Sequence, residues 1–151
     1  MSTQRKISTI TLLLAISLGA SGIACKKGGP VASNDGVTLV DVPLNMIHFD
    51  FDKYIIRSDA QTLLNSHATW IKSNPGITII IEGNTDEWGT EEYNLSLGER
   101  RAMAAKTYLT NLGVSPDRLN TISYGESRPI DPAHNEAAWA MNRRDEFKGR
   151  K

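Results

Sequence analysis

A carboxylate at Asp86, in a polar loop, and a guanidinium at Arg101, one turn into the helix that follows, form a complementary pair. Such a pair can hold a zwitterion, the carboxylate taking an ammonium and the arginine forking a carboxylate. A salt bridge between loop and helix would use the same two residues, and spacing alone leaves both readings open. Other chemistry is poorly served. His48, His67 and His134 are far apart and lack an H-E-x-x-H spacing, and there is no G-x-S-x-G nucleophile elbow. The single cysteine excludes an internal disulfide framework and a multi-cysteine zinc site. No metal, cofactor or catalytic residue is expected, and the reading is a binding protein rather than an enzyme.

The elements that must position Asp86 and Arg101 follow from hydrophobic periodicity. Met46 to Phe51 alternates as a strand that ends in a turn at Asp52. Ser58-Asp59-Ala60-Gln61 spells a capping box, opening a helix with Leu63, Leu64, Ala68 and Ile71 on one face and a stop before Pro75-Gly76. Ile77 to Ile81 is short, β-branched and apolar, a buried central strand. Gly83 to Tyr93 reads as an exposed loop. A second capping box, Ser96 to Glu99, lies inside the start of a long helix reaching about Asn111, with Leu97, Ala104, Ala105, Tyr108 and Leu112 facing the core and Gly113 as its stop. Leu119 to Tyr124 is a third strand and Asn135 to Met141 a short helix. A last strand starts near Arg143. The order βαβαβαβ predicts an α/β domain with helices packed on one mixed four-stranded sheet.

Length and charge bound the rest. The chain has 151 residues, one domain's worth, with 17 basic and 17 acidic side chains and no net charge. That balance excludes a basic nucleic-acid grip. At the N-terminus, Arg5 and Lys6 precede an apolar run from Ile7 to Leu18 and then small residues up to Ala24. This is the pattern of an export signal, and the run is too short for the roughly 20 residues that span a bilayer. Residues 1–24 are therefore expected to be a cleaved signal peptide. Residues 25–43, with Gly28-Gly29-Pro30 and Ser33-Asn34-Asp35-Gly36, read as a flexible tether, and 44–151 as the folded domain.

Two stretches are spelled like a known family. Gly22-Ile23-Ala24-Cys25 resembles a bacterial lipobox, whose cysteine is diacylated and becomes the mature N-terminus, although Gly22 stands where Leu is usual. The run from Glu82 to Ala102, EGNTDEWGTEEYNLSLGERRA, resembles the peptidoglycan-binding OmpA-like domain, in detail that of the peptidoglycan-associated lipoproteins. The likeness extends over Phe49 to Tyr54, Ser123-Tyr124-Gly125, Asn135 to Ala138 and Asn142-Arg143-Arg144, in order, across about residues 45–144.

The resemblance implies a function. Asp86 would pair with the ammonium, and Arg101 with the carboxylate, of diaminopimelate in the peptide stem of peptidoglycan. Phe51, Asp52 and Tyr54 match another wall of that pocket, and Leu97 an apolar contact. Cys25 would carry the lipid that anchors the protein in the outer membrane, with the domain facing the periplasm. The family also binds the periplasmic β-propeller protein TolB, which would place the chain in the Tol-Pal system of cell division and envelope integrity. A peptidoglycan-binding lipoprotein without a Tol partner shares every one of these motifs.

Several residues have a structural reading of their own. Asn94 caps the helix or ties down the loop, and Arg143-Arg144 help the site or, in the case of Arg143, fix the end of the sheet. Arg100 is solvated. Trp88, where near relatives often carry Arg, stacks on the sugar-peptide chain or covers the loop. Ile55 adds an apolar spot near the pocket. The ending Asp145-Glu146-Phe147-Lys148-Gly149-Arg150-Lys151 offers only Phe147 for burial, so the last strand is expected to be short or frayed and the basic tail solvated.

Overall fold

A computed structural model describes residues 38–151. The expected signal peptide, Cys25 and the tether up to residue 37 lie outside the described residues. Eight strands and α-helices follow in order: β1 (Leu39–Val40), β2 (Ile47–His48), α1 (Ser58–Ser73), β3 (Thr78–Asn84), α2 (Glu91–Asn111), β4 (Leu119–Gly125), α3 (Glu136–Asn142) and β5 (Arg144–Arg150). The sheet is mixed and five-stranded, in the order β1-β5-β3-β4, with β2 also paired to β5. Only β3 and β4 are parallel; β5 runs antiparallel to β1, β2 and β3.

The α/β class and mixed sheet are as expected, with one strand more. Leu39 and Val40, assigned above to the tether, pair with Arg150 and Gly149. The first expected strand shrinks to Ile47–His48, because the chain turns at Asp50 to Lys53, where Asp52 adopts a left-handed φ of 56°. Aspartate tolerates that conformation better than most residues.

The C-terminal strand departs furthest from expectation. Residues 144–150 form a full seven-residue strand, with Asp145, Phe147 and Gly149 buried. Arg144 and Glu146 are accommodated within the strand, while Lys148, Arg150 and Lys151 are exposed, as expected of the basic tail. Arg144 donates to Glu146 at 2.9 and 2.5 Å, and Lys148 donates to the same carboxylate at 2.7 Å, all on one face. Alternation turns Asp145, Phe147 and Gly149 to the other face, opposite Gly83, Ile81 and Ile79 of β3.

The helices start differently from their capping motifs. Arg57 is the N-cap of α1 and makes no side-chain cap; the Asp59 carboxylate accepts from the Ala60 N–H at 3.0 Å instead. Helix α2 begins at Glu91, capped by Thr90 Oγ1, which accepts from Tyr93 N–H at 3.2 Å. Ser96 and Glu99 are spent elsewhere, Ser96 accepting from Arg100 and Glu99 from Thr121. Gly113, at φ 88°, ends α2 as expected.

The buried stripe of α2 is Asn94, Leu97, Gly98, Arg101, Ala102, Ala105 and Leu109. Leu97 and Ala105 were expected; Ala104, Tyr108 and Leu112 lie at its edge. Three of the seven are polar or glycine, which turns the face away from the one hydropathy indicates. The main core joins Leu64, Ala68 and Ile71 of α1, Ile79 and Ile81, Ala102, Ala105 and Leu109, Val114, Leu119, Phe147, Ile47 and Phe49. Gly83 and Gly98 bring α2 onto β3, since a Cβ on Gly83 would stand 2.0 Å from the Gly98 carbonyl oxygen. One turn beyond that contact, Arg101 enters the interior.

Candidate functional site

The C-terminal ends of parallel strands in α/β sheets are where ligands commonly bind. Here β3 ends at Asn84 and β4 at Gly125, tied by Thr85 N–H to the Gly125 carbonyl at 2.9 Å. The loop that follows β3 carries Asp86, which is only 4% exposed. Its Oδ2 accepts from Arg143 Nη1 at 3.1 Å, and Trp88 N–H lies 3.4 Å from Oδ1. Arg143, also buried, donates through Nη2 to Glu136 at 2.6 Å and through Nε to the Phe49 carbonyl. Burial opposes its charge, but Glu136 and Asp86 outweigh this and hold the guanidinium above its ordinary range.

Arg101 is 0% exposed. Nε donates to the Lys53 carbonyl at 2.8 Å, Nη1 to Asn84 at 2.9 Å and Nη2 to Asp50 at 3.2 Å, while the cation lies 5.0 Å from the Phe49 ring centroid. Arginine has five donors, so one N–H on each terminal nitrogen has no acceptor among the described residues. Burial lowers its pKa to about 10, partly offset by the fields of Asp145 and Asp86, so the cation persists at neutral pH. No ion pair joins Asp86 directly to Arg101 among the described residues; Arg143 is the partner of Asp86.

Phe51, Asp52, Asp86 and Leu97 converge on one cleft of about 260 Å³, together with Trp88, Gly89 and Tyr93. Arg101 lies beneath the Asp50–Lys53 turn and does not line the cleft. Tyr54 also falls outside it, along a neighbouring groove on α2 with Met103 and Tyr108. Arg100, expected to be solvated, is exposed but links the two, its guanidinium 5.7 Å from the Tyr54 ring centroid and 5.8 Å from that of Tyr93. Ile55 is exposed nearby.

Tyr93 and Gly89 were missed by sequence reasoning. Tyr93 donates its hydroxyl to the Asp52 carboxylate, locking the turn against the start of α2. The Thr90 cap, which places Tyr93 in the first helical turn, was the available signal. Asn94 does not cap α2. It is fully buried and donates to Glu126, tying the helix start to the chain after β4.

Asp145 sits at the same end of the sheet, opposite Gly83, with 0% exposure and no hydrogen bond to either oxygen. Burial pushes its carboxyl well above the usual range, against the pull of Arg101 and Arg144.

The sequence and the fold have known counterparts. The OmpA family matches residues 48–143. The peptidoglycan-associated lipoprotein of Haemophilus influenzae is 39% identical over 142 residues, covering 89% of this chain and 93% of that one. That of Pseudomonas aeruginosa is 38% identical, covering 95% of each. The chain belongs to the OmpA family, among the peptidoglycan-associated lipoproteins. As an OmpA-family domain it also overlays the crystal structure of the peptidoglycan-associated lipoprotein from Burkholderia pseudomallei, with a TM-score of 0.67 and 44% identity over 69% of this chain and 88% of that one. The C-terminal domain of Helicobacter pylori MotB gives a TM-score of 0.64 at 26% identity. No helix among this member's described residues is long and apolar enough to cross a membrane.

Proposed function

We propose that this OmpA-family chain binds the diaminopimelate-containing stem peptide of peptidoglycan, without forming a covalent bond, in the cleft at Asp86. The observation that carries the reading is the convergence of Phe51, Asp52, Asp86 and Leu97 on that cleft. Arg143 and the Trp88 N–H orient the carboxylate, which retains lone pairs for an ammonium. Arg101 contributes the free N–H of each terminal nitrogen to the neighbouring carboxylate. Because the Asp50–Lys53 turn lies over it, that contact requires the turn to shift outward, and the Phe51 and Asp52 side chains move with it.

In the same reading, Cys25 carries the lipid anchor, residues 25–37 and part of the following segment tether the domain, and the outer membrane is thereby held to the cell wall. A TolB-type β-propeller is the proposed protein partner within the Tol-Pal system, supported by the family likeness. Co-precipitation with the cognate propeller separates that role from wall binding alone. For the wall itself, the test is co-sedimentation of the detergent-solubilised protein with diaminopimelate-type peptidoglycan. Wild type should pellet and a folded Asp86→Asn variant should stay in solution. Equal pelleting of the two would remove Asp86 from the site.

A further inference from the structure

The loop after β3 has two sides. Asp86 and Trp88 line the cleft described above, whereas Thr85 and Glu87 line a separate cavity of about 420 Å³. Glu126, Asp131, His134 and Trp139 complete most of its wall. Trp139 and Trp88 meet edge to face, with ring centroids 5.3 Å apart, so an aromatic ridge separates the two spaces. Trp88 is 53% exposed at that ridge.

The polar groups of the cavity are held in place and are mostly acceptors. Glu87 receives Trp139 Nε1–H at 2.7 Å and faces His134 Nδ1 at 2.7 and 2.8 Å. Glu126 receives the amide of buried Asn94, and Asp131 Oδ1 receives the Ala133 N–H at 2.9 Å. Asn142, buried, fixes the 130–131 backbone by accepting both N–H groups at 2.8 and 3.1 Å. Three carboxylates repel an anion. Oriented carboxylates with spare lone pairs suit a ligand rich in hydroxyl and amide donors, and an indole face suits the apolar face of a sugar ring.

We propose that this cavity binds the N-acetylhexosamine glycan of peptidoglycan, adjoining the stem-peptide cleft. The proposal rests on the peptide reading above. Continuity supports this occupant, because the glycan is covalently joined to the stem. Two residues separate diaminopimelate from the sugar, a reach of about 7–10 Å. A single length of loop, residues 85–88, divides the sites, so that spacer can cross the tryptophan ridge. Trp88 then touches the ligand where peptide gives way to sugar, and Trp139 is the saccharide platform.

Calorimetry on the full-length protein in detergent tests this with two probes: the free tripeptide stem, and the same stem carried on its disaccharide. The disaccharide form should bind about five-fold more tightly, and Trp139→Leu should abolish that gain while leaving the affinity for the free stem unchanged. The indole N–H resonance of Trp139 provides a readout independent of any variant, and should move with the disaccharide form but not with the free stem. Equal affinity for the two probes, or a gain that survives in Trp139→Leu, overturns the saccharide site and leaves the peptide site standing. Failure of both probes to bind overturns the peptide reading with it.

Discussion

Strand β3 begins in hydrocarbon and ends among buried charges. At its start Ile79 pairs with Leu119 and Gly149, within a core completed by Ile71, Leu109 and Val114. Four residues later Gly83 pairs with Asp145, and Asn84 accepts from Arg101. Around that end Asp86, Arg101, Arg143, Arg144 and Asp145 are all at most 5% exposed. The first end stabilises the fold by removing apolar surface from water at about 25 cal/mol per Å². The second requires desolvating charges, and pairing them offsets much of that cost without guaranteeing a net gain. Fold stability is therefore concentrated at one end of the sheet and the proposed ligand chemistry at the other.

The two ends should respond differently to substitution. The largest effect is expected from Arg101→Ala, which orphans the carbonyls of Asp50, Lys53 and Asn84 and leaves Asp86 with less compensation. It should cost about 3–5 kcal/mol of stability, measured by urea unfolding, in addition to any loss of ligand. A cost near zero would show that the buried end is not held through this cation.

His67 tests the apolar end. Both ring nitrogens lack partners, the ring packs edge-on to Phe147 at 4.7 Å, and burial lowers its pKa to about 4. A depressed folded-state value means stability is fully present above the unfolded value of 6.5 and is lost as pH falls toward 4. His67→Leu should remove up to about 3 kcal/mol of acid sensitivity in that window. An unchanged pH profile would mean that the ring is hydrated.

Asp145 carries the opposite sign. Its carboxyl is raised by burial, so the stability it allows is present below its unfolded value, near 4, and declines as pH rises toward the folded one. Asp145→Val suits a buried strand position and should raise stability at pH 7 by about 1–2 kcal/mol while flattening that decline. A loss of stability would indicate an ionised Asp145 that compensates Arg101, making the polar end more tightly coupled than described.

The apolar end was the legible one. Ile77 to Ile81, Leu64, Ala68 and Ile71 announce themselves by period, and their strand and helix lie close to where periodicity puts them. Strand β5 was not legible, because hydropathy registers Arg144, Glu146 and Lys148 as solvated and has no sign for carboxylate and cations satisfying one another across one face. Periodicity likewise left Asn94, Gly98 and Arg101 out of the core face of α2: Arg101 was assigned to a ligand pair and Asn94 to a cap or loop tie, and neither reading carries a sign of burial. In the candidate site, the family resemblance brought out Asp86, Asp52, Phe51 and Leu97, which share a cleft. Tyr54 misses it because the turn at Asp52 carries the chain onto the neighbouring groove. Arg143 was read as fixing the sheet, and its link to the Phe49 carbonyl agrees with that; its grip on Asp86 needed three dimensions.

In the proposed site Asp86 and Arg101 read the two charges of one zwitterionic side chain. Calorimetry of the full-length protein with two tripeptide stems, one containing diaminopimelate and the other lysine, tests this most directly. Lysine keeps the ammonium and lacks the adjacent carboxylate. The diaminopimelate stem should bind more tightly by about 2–5 kcal/mol, the cost of leaving one partner of a buried charge contact empty. Equal affinity for the two stems would contradict the account, because Arg101 would then take no part in recognition.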